Sequence, residues 1–224
     1  MKEHPILFSG PMVRAILGGR KTQTRRVVAR GNSFVNGSRA NSIAWSRLNF
    51  EAPEVFVDAG PSPAGNPGPY LHVPRRDDES VHRVYPTWQP GDRLWVRETC
   101  WVHRGSKRFA WYVHQDVFTV DPARDNVRKR PAIHMPRAES RILLEITDVR
   151  VQRLQDISEA DAIAEGLRWR DALDAWTAGG DSWPTFSDPR RAFAGLWDSI
   201  NAARGFGWET NCWVWAISFK RVTP

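Results

Sequence analysis

Pro5 to Val28 reads PILFSGPMVRAILGGRKTQTRRVV, and the way this stretch divides decides what the rest of the chain is built around. Ile6-Leu7-Phe8 is short and apolar, which suits a buried strand. Pro11 fits the first turn of a helix, where its missing N–H is no loss, and Met12, Val13, Ile16 and Leu17 then recur at helical spacing. Gly18-Gly19 ends that helix, because a backbone without Cβ turns sharply at little cost. Lys21 to Thr24 therefore emerge just past a helix C-terminus and run into a strand at Val27-Val28.

With 224 residues the chain buries a core without needing disulfides or metal, and one domain covering 1–224 is expected. Lys and Arg number 32 against 25 Asp and Glu, a formal charge of +7, with local clusters at Arg25-Arg26, Arg75-Arg76 and Arg128-Lys129-Arg130. A surface of this kind attracts polyanions, so nucleic acid or a phosphorylated small molecule is the natural partner class. Cys100 and Cys212 each stand beside a tryptophan in an apolar run and read as core. No Cys-x-x-Cys pair occurs and the histidines are scattered, so no zinc spacing can be drawn, and neither metal nor cofactor is expected. No apolar run approaches the roughly 20 residues that span a bilayer, and Met1-Lys2-Glu3-His4-Pro5 opens no signal peptide. No membrane partner is expected, and the protein reads as soluble and cytoplasmic.

From about Gly31 to Gln89 periodicity is lost and Gly, Pro, Ser, Asn and Asp gather, most densely over Gly60–Pro69. This reads as a loop insertion outside the core, placed to lie over a pocket. A second loop is expected at 169–188. Strand patterns follow at Arg93–Val102, where the alternation slips once and suggests a bulge, then at Phe109–Val113, at Arg141–Ile146 running on through Val151, and at Cys212–Phe219. One helix starts at Ser158, with Ala160, Ile163, Ala164 and Leu167 as its apolar stripe and Gly166 as its stop. Another spans about Arg190 to Asn201, with Phe193, Leu196, Trp197 and Ile200 facing the core. The sum is an α+β fold, a mixed, mostly antiparallel sheet curling into a small barrel with flanking helices and long loop insertions.

A threonine hydroxyl needs a base to act as a nucleophile at neutral pH. Lys21 serves Thr24 only if its amine is neutral, and burial together with the charges of Arg20, Arg25 and Arg26 pushes that way. The competing reading of the same loop is a solvated basic turn that touches phosphates. Glu165 lies at the C-terminal end of its helix, where the negative end of the dipole favours a protonated carboxyl and suits a proton donor; the alternative is an exposed glutamate before a cap. Glu98 either hydrogen-bonds a substrate amine or pairs with an arginine. Ser9 and Asn211, at strand boundaries, offer polar contacts. Most of the twelve tryptophans belong to the core, leaving one or two to stack on a base.

Four segments carry a resemblance to the ASCH domain of the PUA-like superfamily, and to its phage and prophage branch in particular. They are Pro5–Ser9 running through Gly19–Arg26, Gly91–Thr99, Ile133–Arg137 with Ser140–Ile142, and Leu154–Gly166, joined by the Trp213-Val214-Trp215 strand. Small members of that family are amidohydrolases that remove the acyl group from N4-acetylcytidine. The resemblance implies a PUA-like β-barrel, a catalytic set of Lys21, Thr24 and Glu165 and a small nucleoside as substrate; the residues' own chemistry makes Ser9, Arg26, Glu98 and Asn211 the substrate-binding candidates. It implies that loss of Lys21 or Thr24 cuts the rate and leaves the fold intact. Other ASCH-like domains bind RNA or DNA, so a module that recognises a modified base in RNA or single-stranded DNA without turnover is the alternative.

Overall fold

Two helix signals in the opening stretch are met by hydrogen bonds that fix where the functional residues start. In this computed structural model, which describes residues 1–36, 38–39, 45–52, 54–62, 68–78, 80–106, 109–113, 121–179 and 183–222, helix α1 runs Gly10–Leu17 with Pro11 in its first turn. It closes as a Schellman turn. Gly19 takes φ +72°, its N–H donates to Ile16 O at 3.0 Å and the Arg20 N–H to Ala15 O at 2.9 Å. The Lys21 N–H also reaches Ala15 O, at 3.1 Å, so the turn is held up to the first residue of the candidate site.

The strands, in chain order, are β1 (Glu3–Leu7), β2 (Gln23–Val27), β3 (Ser33–Val35), β4 (Ser38–Arg39), β5 (Phe56–Asp58), β6 (Tyr70–Pro74), β7 (Val81–Pro86), β8 (Arg93–Arg97), β9 (Cys100–His103), β10 (Phe109–Tyr112), β11 (Val127–Arg130), β12 (Leu143–Arg153), β13 (Arg168–Arg170), β14 (Ala175–Thr177) and β15 (Trp213–Val222). Two further helices are α2 (Glu159–Ala164) and α3 (Pro189–Asn201). The result is a mixed, strand-rich α+β fold.

The central sheet has the order β1-β8-β12-β15-β2, with β1 and β8 parallel and the other neighbours antiparallel. Among the described residues no ladder joins its two edge strands, β1 and β2. Period-two alternation in β2 and β15 divides the interior. Trp215 and Ile217 point with Val28 into one apolar cluster, while Val214 and Val27 point into another, formed with Leu154, Phe193, Leu196 and Trp197 under α2 and α3. Helix α3 starts where Asp188 accepts from the Arg190 N–H at 2.6 Å, with Pro189 at its first turn.

Several expectations are corrected. The stretch 31–89 is not loop: it carries the five-stranded sheet β4-β3-β7-β6-β5, and Leu71, Val73 and Val84, each 0% exposed, join the same cluster as Ile6 and Trp215. Residues 63–67 of its Gly- and Pro-rich run lie outside the described residues, as do 180–182 of the later expected loop, which otherwise contains the β13–β14 hairpin. The slip in Arg93–Val102 is no bulge. The strand breaks at Glu98-Thr99, and β9 leaves the central sheet to pair with β10 and β11. Ala160 and Ile163 face solvent, because α2 is short and turns Ala162 and Glu165 inward instead. Ile200 is 42% exposed and borders the cavity described below. No described helix is long and apolar enough to cross a membrane.

Since Leu71 is filled in on all sides, Leu71→Ala should cost about 2–5 kcal/mol, read as a drop in the urea midpoint. A change under about 0.5 kcal/mol, typical of a surface position, would show that the 31–89 sheet is not part of the core.

Candidate functional site

Lys21 and Glu165, 144 residues apart, form one buried pair. Lys21 Nζ donates to Glu165 Oε2 at 2.6 Å and to Glu165 O at 2.8 Å, and their side chains are 0% and 3% exposed. Main-chain contacts set the approach: the two residues form an isolated antiparallel bridge, and the Thr22 N–H donates to Ala164 O at 2.9 Å. Glu165 caps the C-terminus of α2, whose start is fixed by Ser158 Oγ accepting from the Asp161 N–H at 3.1 Å. Gly166 then takes φ +101°, and a Cβ there would come within 3.0 Å of the Lys21 and Ala15 Cβ atoms. Only glycine allows α2 to end this close to the lysine stem.

Arg25 braces the pair from the other side. Its Nη1 donates to Glu165 Oε1 at 3.3 Å and to Gln23 Oε1 at 2.6 Å, and its Nη2 donates to Asp161 Oδ2 at 2.9 Å. Gln23 Nε2 and Arg150 Nη2 add donors to Asp161, each at 3.2 Å from Oδ1. Sequence reasoning gives Arg25 only as a charge beside Lys21 and misses Gln23 and Asp161 as partners. The readable signal was the alternation in β2, which puts Gln23 and Arg25 on the face covered by α2 and α3, and Thr24 and Arg26 on the opposite face.

A cavity of about 680 Å³ lies between the edge strands β1 and β2, walled by residues from both faces of β2 and by Phe193, Leu196 and Trp197 of α3, within the range of small-molecule sites. Thr24, Arg26, Ser9 and Glu165 all line it. Lys21 is not in the wall, so Glu165 presents the pair to the cavity. Phe8, also in the wall, has Lys21 Nζ at 5.5 Å and Arg26 Cζ at 5.3 Å from its ring centroid. Arg26 Nη2 donates to Leu7 O at 2.7 Å and so bridges the gap between the two edge strands with a side chain. The Ser9 side chain makes no capping bond to α1.

Glu98 and Asn211 lie elsewhere. Glu98 is 0% exposed and held by Arg141, whose Nε and Nη2 each donate to it at 2.9 Å. Asn211 adopts φ +41° and its Oδ1 accepts from the Gln155 N–H at 2.9 Å, which ties β15 to the start of α2. The backbone N–H groups of Gly19, Arg20, Lys21 and Thr22 are all committed to carbonyls, which leaves the Arg26 guanidinium as the free donor beside Thr24. Among the described residues no three His, Cys, Asp or Glu side chains gather as a metal-binding group.

Burial lowers the pKa of Lys21 below the usual lysine value, with Arg26 and Arg25 adding to the shift and the Glu165 carboxylate opposing it. Burial likewise lowers that of Arg26, with the Glu165 carboxylate opposing the shift and Arg204 adding to it. Compared with family models, with curated proteins and with solved structures, the chain gives no match. The functional reading therefore rests on the residues and their geometry.

The pair corrects one expectation about variants. Removing Lys21 strands a buried carboxyl, so Lys21→Met should destabilise the fold by about 3–5 kcal/mol, and not leave it intact. The pH dependence has a definite sign. Between the lowered folded-state pKa and the ordinary 10.5, the unfolded chain holds a proton that folded Lys21 has lost, so this group's contribution to stability rises with pH across that window and is lost as pH falls through it. Urea titrations from neutral pH to 10.5 should show wild type gaining on Lys21→Met as pH rises. A constant difference would contradict a lowered lysine.

Proposed function

We propose that this chain is an amidohydrolase of the ASCH type that removes the acyl group from N4-acylated cytosine nucleosides or bases, and that its sheets are an opened version of the PUA-like barrel. The observation that carries the reading is the buried Lys21–Glu165 pair, whose Glu165 reaches the wall of a cavity that Thr24 also lines. One proton shift along the 2.6 Å Nζ to Oε2 contact turns ammonium and carboxylate into amine and carboxylic acid, with no change in net charge. That neutral form supplies a base and an acid together, and burial favours it.

In the proposed reaction the Lys21 amine takes the Thr24 hydroxyl proton as Oγ1 attacks the acyl carbonyl carbon. Arg26 stabilises the oxyanion, the C–N4 bond breaks, and N4 leaves with the proton of Glu165. Water then adds to the acyl-threonine ester, giving its proton to the Glu165 carboxylate. Collapse of the adduct returns the hydroxyl proton from Lys21 to Thr24 and releases the carboxylic acid. Both groups end in the protonation states they began with. Phe8 and Trp88 in the wall give a planar base apolar faces to lie against.

Purified protein should release cytidine from N4-acetylcytidine. Thr24→Val, which keeps the β-branched shape in β2, should lower kcat about 10²–10⁴-fold, while Thr24→Ser retains turnover through its hydroxyl. The pH profile of kcat/KM should rise along a limb centred below the ordinary lysine value. Unchanged turnover in folded Thr24→Val removes the threonine nucleophile; no turnover by folded wild type on any N4-acylcytosine, with salt-dependent oligonucleotide binding instead, favours the binding-module reading.

A further inference from the structure

The cavity wall carries cations for which deacylation has no use. Arg97 is the register partner of Leu7 in the parallel β1–β8 ladder, and Leu7 is the residue whose carbonyl holds Arg26. The end of β1 thus neighbours both residues, Arg97 through the strand register and Arg26 through the Leu7 carbonyl. Arg97 is fixed in place: its Cζ lies 4.7 Å from the Trp95 ring centroid and its Nη1 donates to Ile133 O at 3.1 Å. A guanidinium has five N–H donors, so Arg97 is positioned with donors to spare. Arg204, exposed just beyond α3, lines the same cavity and lies near enough for its charge to press on Arg26.

Charge is not balanced here by the protein itself. Among the described residues, Arg26, Arg97 and Arg204 have no carboxylate within the 4.0 Å of an ion pair, whereas Arg25, Arg130 and Arg141 nearby in the fold each have one. The one acidic side chain in the wall, Glu165, is already engaged by Lys21 and Arg25. Three like charges around a partly dry cavity repel one another, and an anion placed among them relieves that repulsion while accepting charge-assisted hydrogen bonds. A neutral nucleoside offers nothing for this arc to bind. A phosphate carries about −1.5 to −2 charges near neutral pH with three acceptor oxygens.

We infer that the cavity takes its cytosine as a phosphate ester, with the phosphate bound by Arg97 and Arg204 beside Arg26, so that the physiological substrate is an N4-acylated cytidine nucleotide or nucleotide residue and not the free nucleoside. The inference rests on the proposed function for the identity of the base, and on the arginines alone for the phosphate. Arg97 and Arg204 are specificity residues here: they act on binding of the phosphate, and no step of the deacylation passes through them.

The test is calorimetric binding at low salt of cytidine, cytidine 5′-monophosphate, ribose 5-phosphate and a short cytidine-containing oligoribonucleotide. Wild type should bind the monophosphate at least tenfold more tightly than cytidine. Arg97→Gln, which removes the guanidinium and keeps a neutral hydrogen-bonding side chain, and Arg204→Glu, at an exposed position, should each erode that ratio and leave cytidine affinity unchanged. An oligonucleotide binding more tightly still assigns the phosphate to a polymer; one binding no better than the monophosphate assigns it to a free nucleotide. Equal affinity for cytidine and its monophosphate overturns the inference and leaves the deacylase reading standing. Ribose 5-phosphate binding as tightly as the monophosphate keeps the phosphate site and overturns cytosine recognition.

Discussion

A charged pair sealed from water, Lys21 with Glu165, is the constraint on which the rest of this structure depends. Taking an ammonium and a carboxylate out of water costs several kcal/mol per ion, and their attraction offsets this only where geometry is good and the remaining donors and acceptors are filled. Each element around the pair meets part of that condition. The Schellman turn delivers Lys21 at a fixed angle, Gly166 lets α2 stop against the lysine stem, and Arg25 with Gln23 and Asp161 fills the far side of the carboxylate. The pair thereby clamps the first 26 residues to a helix near residue 160. It also fixes where β2 lies, and β2 is the strand that divides the two apolar clusters.

The gap between β1 and β2 follows from the same geometry. The chain leaves β1, makes α1 and its turn, and returns as β2 at the opposite edge of the sheet. A sheet edge ordinarily exposes backbone donors and acceptors that invite pairing. Here the space between the edges is the cavity, and the Arg26 bond to Leu7 O spans it. A ladder in that place would fill the site with backbone, whereas a single side-chain bridge leaves room for a ligand. The 31–89 sheet packs into the same core as β1 and β15, and Asn32 and Trp88 from its two ends reach the wall.

Local chemistry was legible in the sequence and long-range partnership was not. Pro11, the Gly18-Gly19 stop and the Ser158 cap announce α1 and α2, because helix ends are set by residues that carry their own hydrogen-bonding or φ preference. Lys21, Thr24 and Glu165 could be flagged from their place relative to those ends. The partners of buried charges could not: Glu98 finds Arg141 and Lys21 finds Glu165 through tertiary contacts that no spacing encodes. The 31–89 sheet was hidden for another reason. Its strands have two to six residues, and in Tyr70–Pro74 and Val81–Pro86 the buried positions run consecutively at Tyr70-Leu71 and Val84-Tyr85-Pro86 beside half-buried histidine and arginine, which breaks the apolar alternation that marks a strand. Ile200 followed the helical period of α3 yet meets the cavity border, since the period identifies a face and not what covers it.

The electrostatics of the cavity and the proton position in the pair are linked. The Lys21 side chain is 0% exposed and that of Glu165 3%, so the pair meets the cavity only through the Glu165 edge. A ligand that fills the cavity makes the surroundings of that edge drier, and in a drier site an ion pair loses more than a neutral amine and acid do. If that ligand also brings an anion to Arg97 and Arg204, it offsets positive charge in the cavity wall that no carboxylate pairs among the described residues. Under the proposed deacylation, substrate binding and proton transfer within the pair then favour each other, with the amine for Thr24 and the acid for N4 generated when the acyl group is in place.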